Sequence, residues 1–389
     1  MKKKIIAAGL ALMSLSVVAE DNIEKIIANH LQKYGQQEYF SGIAVSVKAG
    51  SDYHHYAVGK QGHDATSAPL TTQSLFDIGS ITKSFTAAMA VLAETDQRLQ
   101  LDQPLGSVLK EYPQWQNLTL TSLLDMSTGI PNYSDSPTIN YLFSKDIKQF
   151  WTQTDLLALA YPKALNPPLK PGYFYSNTGY VLMDLILTKL YQKPYKEQLE
   201  EKIIKPLNLT HTYYPVPAYP EDLIARMARG YSFNIYDNPE LLAKDVTENN
   251  LSWAGAAGAL VSNSEDVVHW VEALFINDKI LNASQKARMQ RLISTTTGKA
   301  ITQVDKNDAH AFGLGLVNAL DESIGTFWFY EGKTLGYRAV YMYVPCNKVI
   351  IVTLFNSATN SENDHSSELI KGIYQELLNA NKSLACAAA

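Results

Sequence analysis

The hydrophobic positions along this chain follow two spacings, one typical of helices and one typical of strands. Near the beginning, Ile23, Ile27 and Leu31 recur at helical spacing, which predicts an amphipathic helix. Residues 43–48 and 53–58 have strand character and are separated by a turn-forming stretch. The early part of the chain is therefore expected to form one helix followed by a β-hairpin.

Strand-like segments return only late in the chain, after a long middle part that has the pattern of helices and loops. Residues 326–330, 338–344 and 348–354 have strand character, and residues 369–378 return to helical spacing. Strands at both ends around a helical middle predict an α+β fold. Its antiparallel sheet would be built from both termini and flanked by the terminal helices.

The same pattern predicts two lobes. Residues 20–75 and 300–389 would form the sheet lobe, and residues 76–299 would form a mainly helical lobe. Small-molecule sites usually lie in clefts between such units. We therefore expect the active site between the lobes.

Residues 1–19 have the pattern of a secretory signal peptide. Lysines at positions 2–4 precede an apolar stretch at residues 5–18, and small residues precede Glu20. The apolar stretch is shorter than the roughly 20 residues that a membrane span needs. The sequence therefore predicts a secreted, periplasmic protein with no transmembrane anchor in the mature chain.

Composition and charge narrow the classes of partner. The chain has 389 residues, of which 46% are hydrophobic, and a formal net charge of −5. This charge makes nucleic acid an unexpected partner.

Cys346 and Cys386 are the two cysteines, and in an oxidising compartment they could pair. Two unpaired thiols are the alternative, because sequence does not show proximity.

A candidate nucleophile lies at the start of the apolar helix predicted at residues 85–92. Ser80 and Lys83 are three residues apart, so on a helix their side chains are neighbours. A serine hydroxyl becomes a good nucleophile when a nearby group removes its proton. The alternative is a helix cap at Ser80 with a solvated lysine. A second Ser-x-x-Lys at residues 107–110 shows how weak the spacing is by itself.

A second candidate group follows a Pro-Gly turn and precedes another apolar helix. Tyr175 could act as a general base if a nearby positive charge, such as that of Lys83, lowered its pKa from about 10. Asn177 could donate to a substrate carbonyl and accept a hydrogen bond from Lys83. The alternative is a turn in which Ser176 or Asn177 caps the next helix.

A third candidate group ends the aromatic strand at residues 326–330. Gly332 would let another backbone or a ligand approach closely. A backbone N–H here, opposite that of Ser80, would complete a two-donor oxyanion hole. The alternative is an edge strand with a glycine bulge. Metal, phosphate-loop and Gly-x-Ser-x-Gly motifs do not occur in the sequence.

Taken in order, these motifs resemble the serine penicillin-recognising family. That family includes class C β-lactamases, low-molecular-weight D-alanyl-D-alanine carboxypeptidases, D-aminopeptidases and related esterases. The overall layout is most similar to the Streptomyces-type secreted carboxypeptidases. Further segments that carry the resemblance are residues 118–124, 127–130, 176–180, 203–209, 254–260, 312–316 and 332–337.

The resemblance implies a β-lactamase/transpeptidase-like fold and an acyl-enzyme mechanism without metal or cofactor. Ser80 would be acylated, while Lys83 and Tyr175 would transfer protons. Asn177 would hold the substrate amide, and the N–H groups of Ser80 and Lys333 would bind the oxyanion. The expected substrate is a small molecule or peptide, such as a D-alanyl peptide, a β-lactam or an ester.

Carboxypeptidase-like action is the leading expectation. The alternatives are a class C-like β-lactamase, an esterase or D-aminopeptidase, and a non-catalytic penicillin-recognising module. The third motif departs from the family pattern of Lys-Thr-Gly or His-x-Gly, because Tyr330 and Glu331 precede Gly332. We expect residues Tyr330 to Lys333 to contact substrate. If Glu331 points inward it would repel a substrate carboxylate, and Lys333 could compensate.

Overall fold

The structure is a computed structural model that describes residues 20–161, 172–234 and 238–386. The predicted signal peptide at residues 1–19 lies outside these described residues. Within them, no helix combines the length and the apolarity needed to cross a bilayer.

The architecture is organised around an antiparallel sheet of nine strands among the described residues. The strands are β1 (Gly42–Ala49), β2 (Asp52–Gly59), β3 (Phe76–Asp77), β4 (Tyr231–Phe233), β5 (Val261–Ser262), β6 (Leu292–Ser294), β7 (Ala300–Ile301), β8 (His310–Phe312), β9 (Val317–Asp321), β10 (Gly325–Lys333), β11 (Arg338–Val344), β12 (Val349–Phe355) and β13 (Ser357–Thr359). The strand order in the large sheet is β2-β1-β12-β11-β10-β9-β8-β6-β7, so the hairpin from the early part of the chain pairs with a late strand. Two short sheets, β3-β5 and β4-β13, lie outside it.

Helices cover the sheet and fill the segment between β2 and β6. The first helix, α1, spans residues 20–34. The others are α2 (Thr82–Thr95), α3 (Leu120–Leu124), α4 (Pro137–Lys145), α5 (Gln153–Ala160), α6 (Thr178–Tyr191), α7 (Tyr195–Leu199), α8 (Lys205–Leu207), α9 (Glu221–Ile224), α10 (Ser264–Phe275), α11 (Ala283–Met289) and α12 (Ser366–Ala380).

The two faces of the sheet pack against different helices. On one face, Ile27 of α1 and Ile373 of α12 belong to the same buried cluster as Val45 and Val340. On the other face, α10 contacts β1 and β12, and Trp270 of α10 stacks on Phe85 of α2 at 3.9 Å between ring centroids. The predicted antiparallel sheet from both termini, flanked by terminal helices, is confirmed.

The predicted lobe boundaries at residues 76 and 300 stay a prediction. The strand β6 joins the large sheet from Leu292, before residue 300, and α10 packs directly on that sheet.

Cys346 and Cys386, whose pairing the sequence left open, form a disulfide with a Cα–Cα distance of 5.8 Å. This bond ties the end of the chain to the turn between β11 and β12.

Candidate active site

The nucleophile candidate Ser80 lies on a tight turn at the start of a buried helix. A 3₁₀ turn at Gly79–Ile81 leads directly into α2, whose residues Thr82 to Val91 are buried all round. Gly79 has a φ of +48°, a left-handed conformation that glycine adopts without a steric penalty. Lys83 therefore lies one turn beyond Ser80, as the spacing predicts.

Three side chains of the predicted catalytic set meet at the Ser80 hydroxyl. Lys83 Nζ lies 2.8 Å from Ser80 Oγ, and the hydroxyl oxygen of Tyr175 also lies 2.8 Å from it. Lys83 Nζ donates a second hydrogen bond to the carbonyl of Ala257 at 2.8 Å. The arrangement places two groups capable of proton transfer on the same hydroxyl.

The protonation states of this group differ from the expectation based on sequence. Burial lowers the pKa of Lys83 well below its usual value. Burial also raises the pKa of Tyr175 to about 12, with the Ser80 hydrogen bond opposing the rise. The expectation that a charged Lys83 lowers the Tyr175 pKa is therefore wrong. A neutral lysine amine can accept the Ser80 proton, and a neutral tyrosine can donate one.

Tyr330 lies in the same buried pocket, at the position where the resembling family carries lysine or histidine. Its side chain is 3% exposed, and its hydroxyl acts on Tyr175 to lower the Tyr175 pKa, against the effect of burial. Burial raises the pKa of Tyr330 itself well above the usual value. Tyr330 thus supplies a buried neutral hydroxyl that influences Tyr175, and among the described residues this hydroxyl has no partner at hydrogen-bond geometry.

Asn177 is held by a loop that the sequence analysis did not single out. The backbone N–H of Asn177 donates to Asn132 Oδ1 at 3.0 Å, and its side-chain amide donates to Ser134 Oγ at 2.9 Å. Among the residues that the structure describes, Lys83 donates to Ser80 and Ala257 and not to Asn177. No motif in the sequence identified Asn132 or Ser134 as site residues, although residues 127–130, just before them, belong to a segment that resembles the penicillin-recognising family.

The segments that carry the two expected oxyanion donors lie in direct backbone contact. A Cβ added to Gly79 would come within 2.5 Å of the Lys333 amide nitrogen. A Cβ added to Gly332 would lie 1.9 Å from the carbonyl oxygen of Ile78 and 3.1 Å from the Ser80 amide nitrogen. Gly332 is therefore needed for close approach, and the approaching group is the backbone just before the nucleophile.

The side chain of Glu331 lies on the other face of the sheet. Glu331 is paired with Val340 across the β10–β11 ladder, and Val340 belongs to the cluster under α1 and α12. Residues directly opposite each other share a face. Tyr330 is paired with Tyr341, and both belong to the cluster on the active-site side. The structure thus brings Tyr330 to the site and leaves the Glu331 carboxylate away from it.

Lys333 meets the cleft mainly through its position at the end of β10. Its ammonium donates to the carbonyl of Thr359. Burial raises the pKa of Glu331, and the charge of Lys333 opposes that rise. Against the effect of burial, the charges of Arg338 and Lys333 contribute to the lowered pKa of Asp364. Lys333 also lines the cleft together with Ser80. The predicted compensation of Glu331 by Lys333 stays a prediction.

A cleft of about 590 Å³ opens over Ser80. Most of its lining consists of uncharged polar side chains, with Phe143 and Trp253 as an aromatic wall. Asp135 adds a carboxylate, and its charge contributes to the raised pKa of Tyr175. Asp135, in the turn before α4, and Phe143, within α4, were not identified from the sequence, because neither belongs to a motif with a recognisable spacing.

Comparisons with known proteins agree with this geometry. The model of the family described as Beta-lactamase matches residues 27–373. A β-lactamase of Providencia stuartii is 27% identical over 384 residues, covering 90% of this chain and 91% of that protein. A penicillin-binding protein of Bacillus subtilis strain 168 is 23% identical over 350 residues, covering 88% of this chain and 74% of that protein.

Solved structures show the same fold. The D-amino acid amidase from Ochrobactrum anthropi SV3 has a TM-score of 0.76 at 22% identity, covering 93% of this chain and 99% of that chain. The D-stereospecific amidohydrolase from a Streptomyces species has a TM-score of 0.74 at 24% identity, covering 90% and 98%. The predicted α+β, β-lactamase/transpeptidase-like fold and the predicted family resemblance are both confirmed.

Proposed function

Because the chain belongs to the beta-lactamase family of serine hydrolases, we propose that it cleaves amide or ester bonds through an acyl-enzyme at Ser80. The observation that carries the proposal is the position of the Ser80 hydroxyl, 2.8 Å from both Lys83 Nζ and the Tyr175 hydroxyl. A nucleophile within hydrogen-bond distance of a base is the arrangement that covalent catalysis requires.

The charges of the buried groups define the role of each in the proposed reaction. Neutral Lys83 takes the proton of Ser80 as its oxygen attacks the substrate carbonyl carbon. Neutral Tyr175 gives its proton to the leaving group and recovers one from Lys83. The substrate oxyanion is bound by the N–H groups of Ser80 and Lys333. Water then attacks the acyl-enzyme while the same pair transfers its proton back to Ser80.

The leading substrate class is a short peptide that ends in D-alanine, as for a D-alanyl-D-alanine carboxypeptidase. Repulsion of the terminal carboxylate by Glu331 is the argument against this class that follows from the sequence alone. Glu331 shares with Val340 the face of the sheet that points away from Ser80, so we expect no such repulsion of a bound substrate. The side-chain amide of Asn177, which lines the cleft, is suited to the peptide group of such a substrate.

An amidase acting on substrates with a free amino group is the second candidate. The carboxylate of Asp135 lines the cleft and acts electrostatically on Tyr175, so it is within range of a bound substrate. A carboxylate there would favour an ammonium group over a second carboxylate. Class C-like β-lactamase and esterase activities use the same acylation step and are distinguished by substrate alone.

The first experiment is intact-mass analysis of the mature protein during incubation with a fluorescent penicillin. We expect an adduct at Ser80 that is absent from Ser80→Ala and present in Ser107→Ala, which changes the exposed serine of the second Ser-x-x-Lys. A lasting adduct indicates a penicillin-binding peptidase, and a transient adduct with hydrolysed drug indicates a β-lactamase.

Substrate panels then separate the remaining activities. D-alanyl-D-alanine peptides, D-phenylalanine amide and p-nitrophenyl esters represent the carboxypeptidase, amidase and esterase classes. If wild type forms no adduct and turns over none of them, the hydrolase proposal is wrong. Retained ligand binding in Ser80→Ala would then support the non-catalytic binding module.

Export to the periplasm is part of the proposal. The sequence pattern of residues 1–19 supports it, and so does the Cys346–Cys386 disulfide, because such bonds persist in oxidising compartments. Sequencing the N-terminus of the protein recovered from a periplasmic extract tests it. A start at Glu20 is expected, whereas an intact N-terminus in the cytoplasm would contradict export.

A further inference from the structure

A buried carboxylate that the proposed mechanism does not use lies just before the nucleophile. Asp77 is the last residue of β3 and is 1% exposed. Among the residues that the structure describes, it forms no ion pair. Its Oδ1 accepts a hydrogen bond from the hydroxyl of Tyr219 at 2.7 Å, and its Oδ2 accepts one from Thr334 Oγ1 at 2.9 Å. A buried charge without a counter-ion is costly and therefore calls for an explanation.

The bond to Thr334 joins the two chain segments that form the oxyanion hole. Asp77 lies three residues before Ser80, and Thr334 directly follows Lys333. The two segments are also in backbone contact, because a Cβ on Gly79 would lie 2.5 Å from the Lys333 amide nitrogen. On its other side, the backbone of Asp77 is fixed by pairing with Val261 of β5. The carboxylate thus connects β3 to the turn that directly follows β10.

We propose that Asp77 is a positioning residue whose carboxylate, through Thr334, sets the distance between the Ser80 and Lys333 amides that bind the oxyanion. The proposal rests on the proposed hydrolase function. It assigns no contact between Asp77 and substrate. The effect of Asp77 is therefore expected on the chemical step, which depends on oxyanion stabilisation, and much less on substrate binding.

The protonation state of Asp77 decides whether the connection holds. An ionised carboxylate accepts a charge-assisted hydrogen bond from each of Tyr219 and Thr334, whereas protonation removes the charge and turns one oxygen into a donor, which weakens the pair of bonds. Burial raises the pKa of Asp77 to about 7, against the effect of its two hydrogen bonds. The connection is therefore complete above this pH and weakened below it.

The groups around Asp77 do not change charge in the same range. Within the part of the chain that the structure describes, the titratable groups that interact with Asp77 are Tyr219, from the loop before α9, and Tyr337, from the turn before β11. The pKa values of both are raised well above the usual value by burial, so both stay neutral. The facing residue on β5, Val261, is apolar. Titration between pH 6 and 8 at this point is therefore attributable to Asp77.

The test compares wild type with Asp77→Asn, using p-nitrophenyl acetate as the probe from about pH 5.5 to about pH 8.5. Asparagine resembles the protonated acid, with one acceptor and one donor. At the upper pH we expect kcat to fall by about tenfold in the variant with KM changed less than about twofold. At the lower pH the two proteins should become nearly equal. Lys83 is present in both proteins, so its own pH dependence is common to them and the comparison is made on the ratio of their kcat values.

Two further variants separate positioning from general loss of structure. Thr334→Val breaks the same bond from the other side and should reproduce the fall in kcat, with no added loss in the double variant with Asp77→Asn. Tyr219→Phe removes the second partner but keeps the bond to Thr334, so kcat should change much less. Thr334→Val also serves if Asp77→Asn does not fold.

An equal kcat of Asp77→Asn and wild type at about pH 8.5 overturns the positioning role, and so does a ratio that is constant with pH. Additive losses in the double variant overturn it as well. Failure of the hydrolase proposal gives a different result, because wild type would then show neither turnover nor labelling of Ser80 by a fluorophosphonate.

Discussion

Glu331 lies directly across the β10–β11 ladder from Val340, on the face of the sheet that packs against α1 and α12. Its neighbour in the chain, Tyr330, lies across from Tyr341 and faces the nucleophile. Side chains alternate between the two faces of a strand. The register of β10 against β11 therefore determines whether Tyr330 or Glu331 occupies the place of the lysine or histidine of the family pattern. The structure gives that place to a neutral hydroxyl and excludes the carboxylate.

The first prediction follows from this register. Glu331→Thr should leave the ratio of kcat/KM for a carboxylate-bearing substrate to that for its methyl ester unchanged within about twofold, because the removed charge is screened and lies on the far face. Asp135→Asn is the matched comparison, since Asp135 lines the cleft, and it should raise the ratio. A rise in Glu331→Thr equal to that in Asp135→Asn would place Glu331 inside the site.

The second prediction concerns Lys83, whose amine is buried and whose pKa is lowered well below the usual value. Lys83→Met has a similar shape but no base, so kcat should fall by about 10²–10⁴-fold. The free energy of unfolding should not fall, because a costly buried amine is replaced by an apolar side chain. The control is Lys110→Met at the exposed second Ser-x-x-Lys, which should keep full activity. Equal losses of stability and activity in Lys83→Met would contradict the role as base.

Much of the fold is accessible from the sequence, because its elements have clear periodicity. The hairpin predicted at residues 43–48 and 53–58 is formed by β1 and β2, and the predicted late strands lie within β10, β11 and β12, except that residue 348 precedes the start of β12 by one position. The contact between the Ser80 and Lys83 side chains also follows from local geometry, since both residues lie within one turn of the start of α2. Contacts within one turn need no knowledge of the rest of the molecule.

The parts that sequence did not predict depend on distant contacts. The orientation of Glu331 was open, because aromatic residues occupy both faces of β10 and conceal the usual alternation. The pKa of Lys83 is lowered because other elements of the fold bury its amine, so the spacing of residues could not predict this shift. The role of Asp77 depends on Thr334, which is 257 residues away in the chain.

The third prediction tests the close backbone approach at Gly332. In Gly332→Ala the new methyl group would lie 1.9 Å from the carbonyl oxygen of Ile78, so the end of β10 must move away from Ser80. Because this displaces one of two oxyanion donors, we expect kcat to fall by about 10²-fold or more. Gly50→Ala is the control, since Gly50 also has a restrictive φ of +63° but open space around it. It should lose about 1 kcal/mol of stability and no activity.

The fourth prediction concerns the Cys346–Cys386 disulfide. The bond closes a segment with a sequence separation of 40, and restricting the unfolded chain by a loop of this size stabilises a fold by about 2–4 kcal/mol. Urea unfolding of the Cys346→Ser/Cys386→Ser variant should show a loss of that size, and reduction of wild type should reproduce it. Because Ser80 lies on the other side of the sheet, kcat measured at about 25 °C should be unchanged in the variant. A loss of activity with unchanged stability would contradict this assignment.

The last prediction concerns acid stability and His30, which is 6% exposed and packs between Tyr34 and Phe40. Burial lowers the pKa of His30 from 6.5 to about 4, so the unfolded chain binds its proton at a higher pH than the folded protein. Stability from this residue is therefore fully present above pH 6.5 and is lost as the pH falls towards about 4. Over that range wild type should lose at most about 3 kcal/mol relative to His30→Phe. Urea unfolding at both pH values measures the difference, with the exposed His310→Gln as control. An equal pH dependence in wild type and His30→Phe would show that His30 is not the responsible group.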